Sequence, residues 1–205
     1  MDLLIAEGLD GVSMRRVAQA LDTGPASLYV YVRNRDDLVA LLLDRIAGEI
    51  TLPVLGPATD WREELINLLL SAIKELGRYP GIAATMFAGV PTGPNALALT
   101  EAMLALLAQG GLSRQARAWA VDVLALYATA AATEETLHAA QGRSELRQND
   151  VNPGVRDVFA GVPADRYPNL ADLHQELTYG SAEQRTRWGL NVLINGVLAT
   201  DPAPS

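Results

Sequence analysis

The sequence predicts an all-α chain: a small N-terminal helical module followed by a larger helical domain. Apolar residues recur three and four places apart in one window after another, the spacing that gathers them on one face of a helix. The windows are separated by breaks rich in Gly and Pro: Asp22-Thr23-Gly24-Pro25, Leu52-Pro53-Val54-Leu55-Gly56-Pro57, Tyr79-Pro80-Gly81 and Gly110-Gly111. Nowhere does the apolar–polar alternation of a half-buried strand appear, and there is no internal repeat or low-complexity run.

Composition sets the bounds. With 205 residues, 49% of them apolar and 20% charged, the chain can bury a sizeable core and is not disordered. It has no cysteine, which excludes disulfides and thiolate metal sites. The first residues carry Asp2 and Glu7 and not a positive segment, and no apolar run reaches the ~18 residues of a membrane span. The expectation is a soluble cytoplasmic chain with no membrane partner.

Residues 1–8 form a stub helix whose Leu3, Leu4 and Ile5 pack on the next two helices. Ser13 caps the second helix, because its hydroxyl can accept from a free N–H of the first turn. Val17, Ala18 and Leu21 share one face of that helix. Asp22-Thr23-Gly24 ends it, and Pro25 suits the first position of a new one. This third helix, residues 25–31, is very short; it can bury Leu28 and Val32 while exposing Ser27, Tyr29, Val30 and Tyr31. A short helix fixed across a tight turn has the shape of a helix-turn-helix reader. Between residues 13 and 35 four arginines (Arg15, Arg16, Arg33, Arg35) face one acid (Asp22), a local charge of +3. Arginines and hydroxyls suit phosphate contacts, and the groove-facing residues of a short helix read bases. On charge and shape alone, a solvated face of a small helical subdomain is an equally good reading. The net charge of −8 does not exclude DNA, because screening over about 8 Å makes phosphate contacts local.

Asp36 is expected to cap a fourth helix running to about residue 50, with Leu38, Leu42, Ile46 and Ile50 along it and Val39 and Leu43 beside them. Such a helix touches the reader at one end and the remaining domain at the other. After the break at 52–57, Asp60 and Glu63 form a capping-box pattern for a helix with a Trp61, Leu65, Leu68, Ala72, Leu76 stripe. A short helix carrying Met86 and Phe87 comes next, then one opened by Pro94. Ser113 starts a helix of some thirty residues to Gly142, rich in alanine. That helix is either the centre of the domain or part of a subunit interface. Residues 143–170 read as loop with a helical piece at 155–160, and a brief helix spans 170–177. Ser181 with Gln184 makes a capping box for a last helix, 183–199, apolar nearly all round except at Asn191 and Asn195. Its second burying surface is expected to be another copy of the chain. The tail 201–205 is expected to be disordered.

The chemistry inventory is short. His138 and His174 lack metal-ligand spacing and read as surface or cap residues; Glu134-Glu135 point in different directions. There is no phosphate loop or triad, so no catalytic residue, metal site or cofactor is expected, and the chain is not read as an enzyme. Met86, Phe87, Met103, Trp119 and Tyr127 either fill a plain core, the commoner use of such residues, or line a cavity for a small apolar or aromatic effector.

Ser13, Ala18, the Leu28-Tyr29 pair and Arg35-Asp36 with Leu38 resemble the DNA-binding domain of the TetR family of bacterial repressors. Gly-Pro-Ala-Ser-Leu-Tyr at 24–29 and the continuation from Leu41 to Arg45 resemble the branch that includes the tetracycline repressor. The match is specific over some forty residues and architectural beyond them. Asp22 departs from the family's usual Gly, a change Asp tolerates because it visits left-handed backbone. The family's first helix also starts earlier, with basic residues, whereas this chain starts inside it; a weaker grip on DNA is the expectation. The resemblance implies a DNA-binding domain over residues 1–50 and a ligand-binding and dimerisation domain over 51–200. It further implies that Ser13, Arg15, Tyr31 and Arg35 grip phosphates. Pro25, Ala26, Ser27, Tyr29 and Val30 would face base edges or sugars. The function implied is a homodimeric repressor on a palindromic operator of double-stranded DNA, released by a small molecule. The alternative is a helical carrier or interaction module that reads no DNA.

Overall fold

The structure, a computed structural model, describes residues 1–140 and 153–201. The expected end of the long helix at Gly142, residues 143–152 of the loop after it, the tail beyond Asp201 and the side chain of His138 lie outside the described residues. Every regular element among the described residues is helical. In order they are α1 (Asp2–Glu7), α2 (Met14–Ala20), α3 (Pro25–Leu28), α4 (Arg35–Ala47), α5 (Trp61–Gly77), α6 (Pro94–Gln109), α7 (Arg114–Ala140), α8 (Pro153–Ala160), α9 (Pro168–Asp172), α10 (His174–Leu177) and α11 (Ala182–Ala199). Short 3-10 helices lie at Leu9–Gly11 and Ala83–Ala88.

Helix α5 is the axis of the larger domain. Leu65, Ile66, Leu68, Leu69, Ala72, Ile73 and Leu76 are all buried, a stripe too wide for one neighbour, and α4, α6, α7 and α11 all pack on it. Each such side chain removed from water stabilises the fold by roughly 1.5–3 kcal/mol. In α7 the small residues Ala116, Ala120, Ala128 and Ala132 line the inward face with Leu124, so the helix approaches its neighbours closely. Its opposite face carries exposed Trp119, Val123, Leu126 and Leu137. The alanines therefore serve the centre of the domain, and the large apolar groups are turned away from it. Asn191 and Asn195, which interrupt the apolar surface of α11, take the guanidinium of Arg62 on α5 (Nη1 to Asn191 Oδ1 3.4 Å, Nη2 to Asn195 Oδ1 2.6 Å). Helices α8 to α10 pack chiefly on one another.

The helix ends agree with the sequence, with some corrections. Ser181 and Gln184 close a complete capping box at α11 (Gln184 N–H to Ser181 Oγ 3.1 Å, Ser181 N–H to Gln184 Oε1 2.8 Å). Asp60 caps α5, but Glu63 reaches instead to Arg187 at 2.7 Å, tying α5 to α11. The cap of α4 is Asn34 and not Asp36: Asn34 Oδ1 accepts from Asp37 N–H at 2.8 Å, so the helix begins earlier than expected. It also ends earlier, at Ala47, with Ile50 buried beyond its end. Ile5 and Leu21 are exposed, Leu21 because it closes α2 just where the chain turns away. The Asp201 carboxylate accepts from Ser113 N–H at 2.8 Å and from the Ser113 hydroxyl, joining the end of α11 to the start of α7.

Candidate nucleic-acid interface and effector cavity

Helices α2 and α3 are joined by a very small core, while Leu4, Leu9, Val12 and Val39 of the reader belong to the larger cluster around α5. Ala18, Leu28 and Val32 are buried together, with half-buried Met14, Val17 and Leu38 around them. Ser13 Oγ accepts from Arg16 N–H at 3.3 Å, the expected cap of α2. At the other end Asp22 sits at φ 50°, the left-handed region in which a non-Gly residue is uncommon. Asp22 N–H donates to Gln19 O at 3.2 Å and Thr23 N–H to Ala18 O at 2.9 Å, the paired bonds of a Schellman ending with Asp in the place of Gly. That turn aims α3 outward. Pro25, Ala26, Ser27, Tyr29, Val30 and Tyr31 are all exposed, with Val30 and Tyr31 at 79% and 81%.

The arginines of the +3 patch are less free than their count suggests. Arg16 is paired with Glu7 of α1. Arg33 is paired with Asp37 at 2.8 Å, whose hydrogen bonds to Arg33 hold its carboxyl below the usual carboxylate range. Arg35 donates to the carbonyls of Leu9 (3.1 Å) and Val12 (3.5 Å), fastening the start of α4 to the turn before α2. Arg15 is exposed and forms no ion pair among the described residues.

The reader meets the larger domain at two places. Leu9 N–H donates to Pro80 O at 2.9 Å, where Gly8 and Gly81 adopt positive φ (67° and 82°) and leave no room for side chains between the two turns. Behind it Tyr79 Oη donates to Glu49 at 2.9 Å, and burial together with this carboxylate pushes the phenol pKa up. The second meeting is the length of α4, whose Leu43, Ile46 and Ala47, with Ile50 just beyond its end, form one wall of a small, partly open apolar cavity of about 80 Å³. Helices α5, α6 and α7 complete it, with Met86 and Pro91 from the segment between α5 and α6.

Of the five residues expected at an effector site, the structure brings two together. Met86 and Met103 both line this cavity. Phe87 (55% exposed) and Trp119 (61% exposed) lie on the surface and do not reach it. Tyr127 lines a separate, polar cleft of about 710 Å³ between α5, α7 and α11, its hydroxyl close against Gly189. Sequence reading misses the aliphatic majority of the lining, including Leu43, Ile46, Leu69, Ala72 and Leu99, because aliphatic residues at helical spacing look the same in a filled core. It also misses Thr129, a polar group in the wall, buried, its hydroxyl 3.9 Å from the Met86 sulfur.

Residues 1–42 match the family described as bacterial regulatory proteins, tetR family, and residues 52–200 match the tetracyclin repressor-like C-terminal domain. The chain belongs to the TetR family. Among TetR-family relatives, an HTH-type transcriptional regulator of Saccharopolyspora erythraea is 35% identical over 204 residues, covering 98% of this chain and 81% of that protein. The HTH-type transcriptional repressor DrrR1 of Streptomyces coeruleorubidus is 30% identical, over 94% of this chain and 72% of its own length. The tetracycline repressor protein class E of Escherichia coli is 28% identical, with 97% and 87% covered. Among solved structures, the Streptomyces coelicolor TetR family protein ActR in complex with actinorhodin superposes with a TM-score of 0.82 at 32% identity, covering 97% of this chain and 92% of that one. Thus the chain is a transcriptional regulator with an N-terminal helix-turn-helix DNA-binding domain and a larger helical C-terminal domain. No helix among the described residues is long and apolar enough to cross a membrane.

Proposed function

We propose that this TetR-family chain is a cytoplasmic homodimeric repressor that binds a near-palindromic operator and is released by a small, neutral, largely apolar effector. The observation that carries the reading is the placement of α4. The same helix carries half-buried Leu38, which packs on the core of the reader, and lends Leu43, Ile46 and Ala47 to the wall of the cavity. We set the boundary between the two functional units at residues 51–57. In the reader, Arg15 is the strongest candidate for a phosphate contact, with Ser13 and Tyr31 beside it; Ser27, Tyr29 and Val30 are the groove-facing side chains, flanked by Pro25 and Ala26. Arg35, held by two carbonyls, acts by fixing the reader.

The cavity supports the effector class. Its wall is aliphatic and thioether, with the Thr129 hydroxyl as its polar feature and no ionisable group. A charged or multiply polar molecule would leave its groups unpaired there, a loss of about 1–3 kcal/mol for each. At about 80 Å³ the cavity must widen to admit a drug-sized molecule, and the flexible Met86 and Met103 are the side chains best able to give way. ActR, solved with actinorhodin, shows the scale of ligand a similar fold can hold. A second copy is supported by the outward faces of α7 and α11: Trp119, Leu126, Trp188 and Val192 stand exposed on two helices packed side by side.

The test is selection of bound duplexes from a random DNA pool at physiological salt. An enriched inverted repeat is expected, with half-sites about one helical turn or a multiple apart. By reciprocity, an effector that releases the operator must bind the DNA-bound protein more weakly by the same factor. A folded dimer that enriches no sequence would refute the reading. It would favour a helical small-molecule carrier, for which the carboxylates set against Arg16 and Arg33 already argue.

A further inference from the structure

Residues 1–42 hold four arginines and no lysine against six acids, so the reader taken whole is acidic. Two of those acids are more than loose surface charges. Glu7 on α1 turns both carboxylate oxygens to Arg16 on the first turn of α2, one to each Nη. Asp37 on α4 does the same for Arg33, in the bend after α3. Its Oδ2 accepts from Arg33 Nε at 2.8 Å and its Oδ1 from Nη2 at 3.2 Å, and the Arg33 N–H adds a third bond to Oδ2 at 3.1 Å. Two-pronged bonds between guanidinium and carboxylate are the strong and geometrically specific form of that contact. Both arginines are nevertheless open to solvent, with side-chain exposures of 47% and 86%. In a helix-turn-helix the first helix crosses the DNA backbone; Arg16 lies there beside Arg15, and Arg33 lies two residues past Tyr31.

We propose that Glu7 and Asp37 are electrostatic restraints on the reader: each keeps one guanidinium from DNA phosphates, so the chain has little affinity for DNA at large and depends on the base-facing residues of α3. The inference rests on the reading of this chain as a DNA reader. Binding to arbitrary sequence comes almost wholly from cations that neutralise phosphates and release their counterions. A guanidinium already neutralised by a carboxylate releases none. A phosphate that displaced the carboxylate would keep it as a neighbour inside the screening length of about 8 Å, and the repulsion would offset the new contact. Hydrogen bonds from α3 to base edges need no such charge. Arbitrary sites vastly outnumber operators, so weak binding to the former leaves more of the regulator free for the latter.

The test is the salt dependence of binding by the full chain to a fluorescein-labelled duplex of scrambled sequence, read by anisotropy between about 20 and 200 mM salt. Glu7→Gln and Asp37→Asn keep the size of each side chain and remove its charge. Each should steepen the slope of log affinity against log salt by about one for each reader on the duplex, and raise affinity at 0.1 M salt about eightfold or more. Asp36→Asn is the control: an exposed acid beside Asp37 on the same first turn of α4, with no guanidinium partner among the described residues. It should leave the slope as in the parent. Glu7→Gln combined with Arg16→Gln restores the net charge of the parent and should restore its slope. The two pairs are separate contacts, so each single variant tests the proposal by itself should the other unfold. Unchanged slopes in the single variants would reduce the pairs to ties between helices and overturn the proposal. An Asp36→Asn slope as steep as theirs, or a double variant that stays steep, would overturn it too, because overall charge or Glu7 alone would then be the cause. A parent and variants that bind no duplex even at the lowest salt would refute the function proposed above and this inference with it, whereas binding with unchanged slopes refutes the restraint alone.

Discussion

Leu28→Ala removes the largest side chain from a core of three buried residues, Ala18, Leu28 and Val32. Truncation of a buried leucine costs about 2–5 kcal/mol, the more so where the surroundings cannot close over the gap. Leu28 is 9% exposed and its neighbours Met14, Val17 and Leu38 are themselves half-buried and able to move, which places the loss near 2–3 kcal/mol. At about 1.4 kcal/mol per factor of ten, local opening of the reader becomes about 30- to 150-fold more frequent. The larger cluster around α5 reaches Leu4, Leu9, Val12 and Val39 of the reader but meets this small core only through half-buried Val17 and Leu38, so α5 should not register the change. Hydrogen exchange read by mass spectrometry measures both at once. Peptides covering residues 14–32 should exchange faster by that factor, those covering 65–76 should not change, and the main calorimetric transition should stay within about 1 °C. Equal acceleration in both regions would show that the two cores open together and would refute the reasoning.

Three other outcomes are expected. Arg15→Ala should lower the slope of log affinity against log salt by about one for any duplex. Arg35→Ala should weaken binding with the slope intact; a slope reduced by Arg35→Ala alone would reverse the two roles. Hydrogen bonds from the Ser113 hydroxyl and then its N–H hold the Asp201 carboxyl below its usual pKa, so the folded form binds fewer protons there than the unfolded chain does. The resulting stability is present above about pH 4 and is lost as pH falls through the lower folded value. Asp201→Asn should therefore lower the melting temperature at neutral pH and flatten its decline between about pH 5 and 3, and an unchanged acid slope would rule the clasp out. Trp188→Glu places a charge on the exposed apolar face of α11 and should halve the mass measured by light scattering without shifting the helical signal. An unaltered mass would move the subunit interface elsewhere.

The reader is legible in the sequence because its signals are local. Ser13, Asp22, Pro25, Leu28 and Val32 each act within a few residues, and the structure finds each of them in the expected local role. Asn34 escapes such reasoning because Asp36, two places on, is an equally good capping type, and only the start of the helix decides between them. Long-range choices leave no local trace. The arginine patch is weakened by Glu7 and Asp37, both outside the span from 13 to 35 in which the charge is positive. Trp119 and Phe87 look like cavity residues by type, but the rotation of α7 and the brevity of the Ala83–Ala88 turn put them outside. The Asn95 and Ala96 N–H groups of α6 donate to Oδ1 of Asp44 on α4, 51 and 52 places away, beyond the reach of any spacing argument.

The distance of the small α2–α3 core from α7 and α11 has a genetic consequence. A substitution confined to Ala18, Leu28 or Val32 spoils one reader and leaves α7 and α11, on which the proposed pairing depends, untouched. The damaged chain would still combine with intact chains in the same cell, and each mixed pair would hold only one half-site of the operator. Such alleles should be dominant over the parent gene, whereas truncations that remove α11 should be recessive.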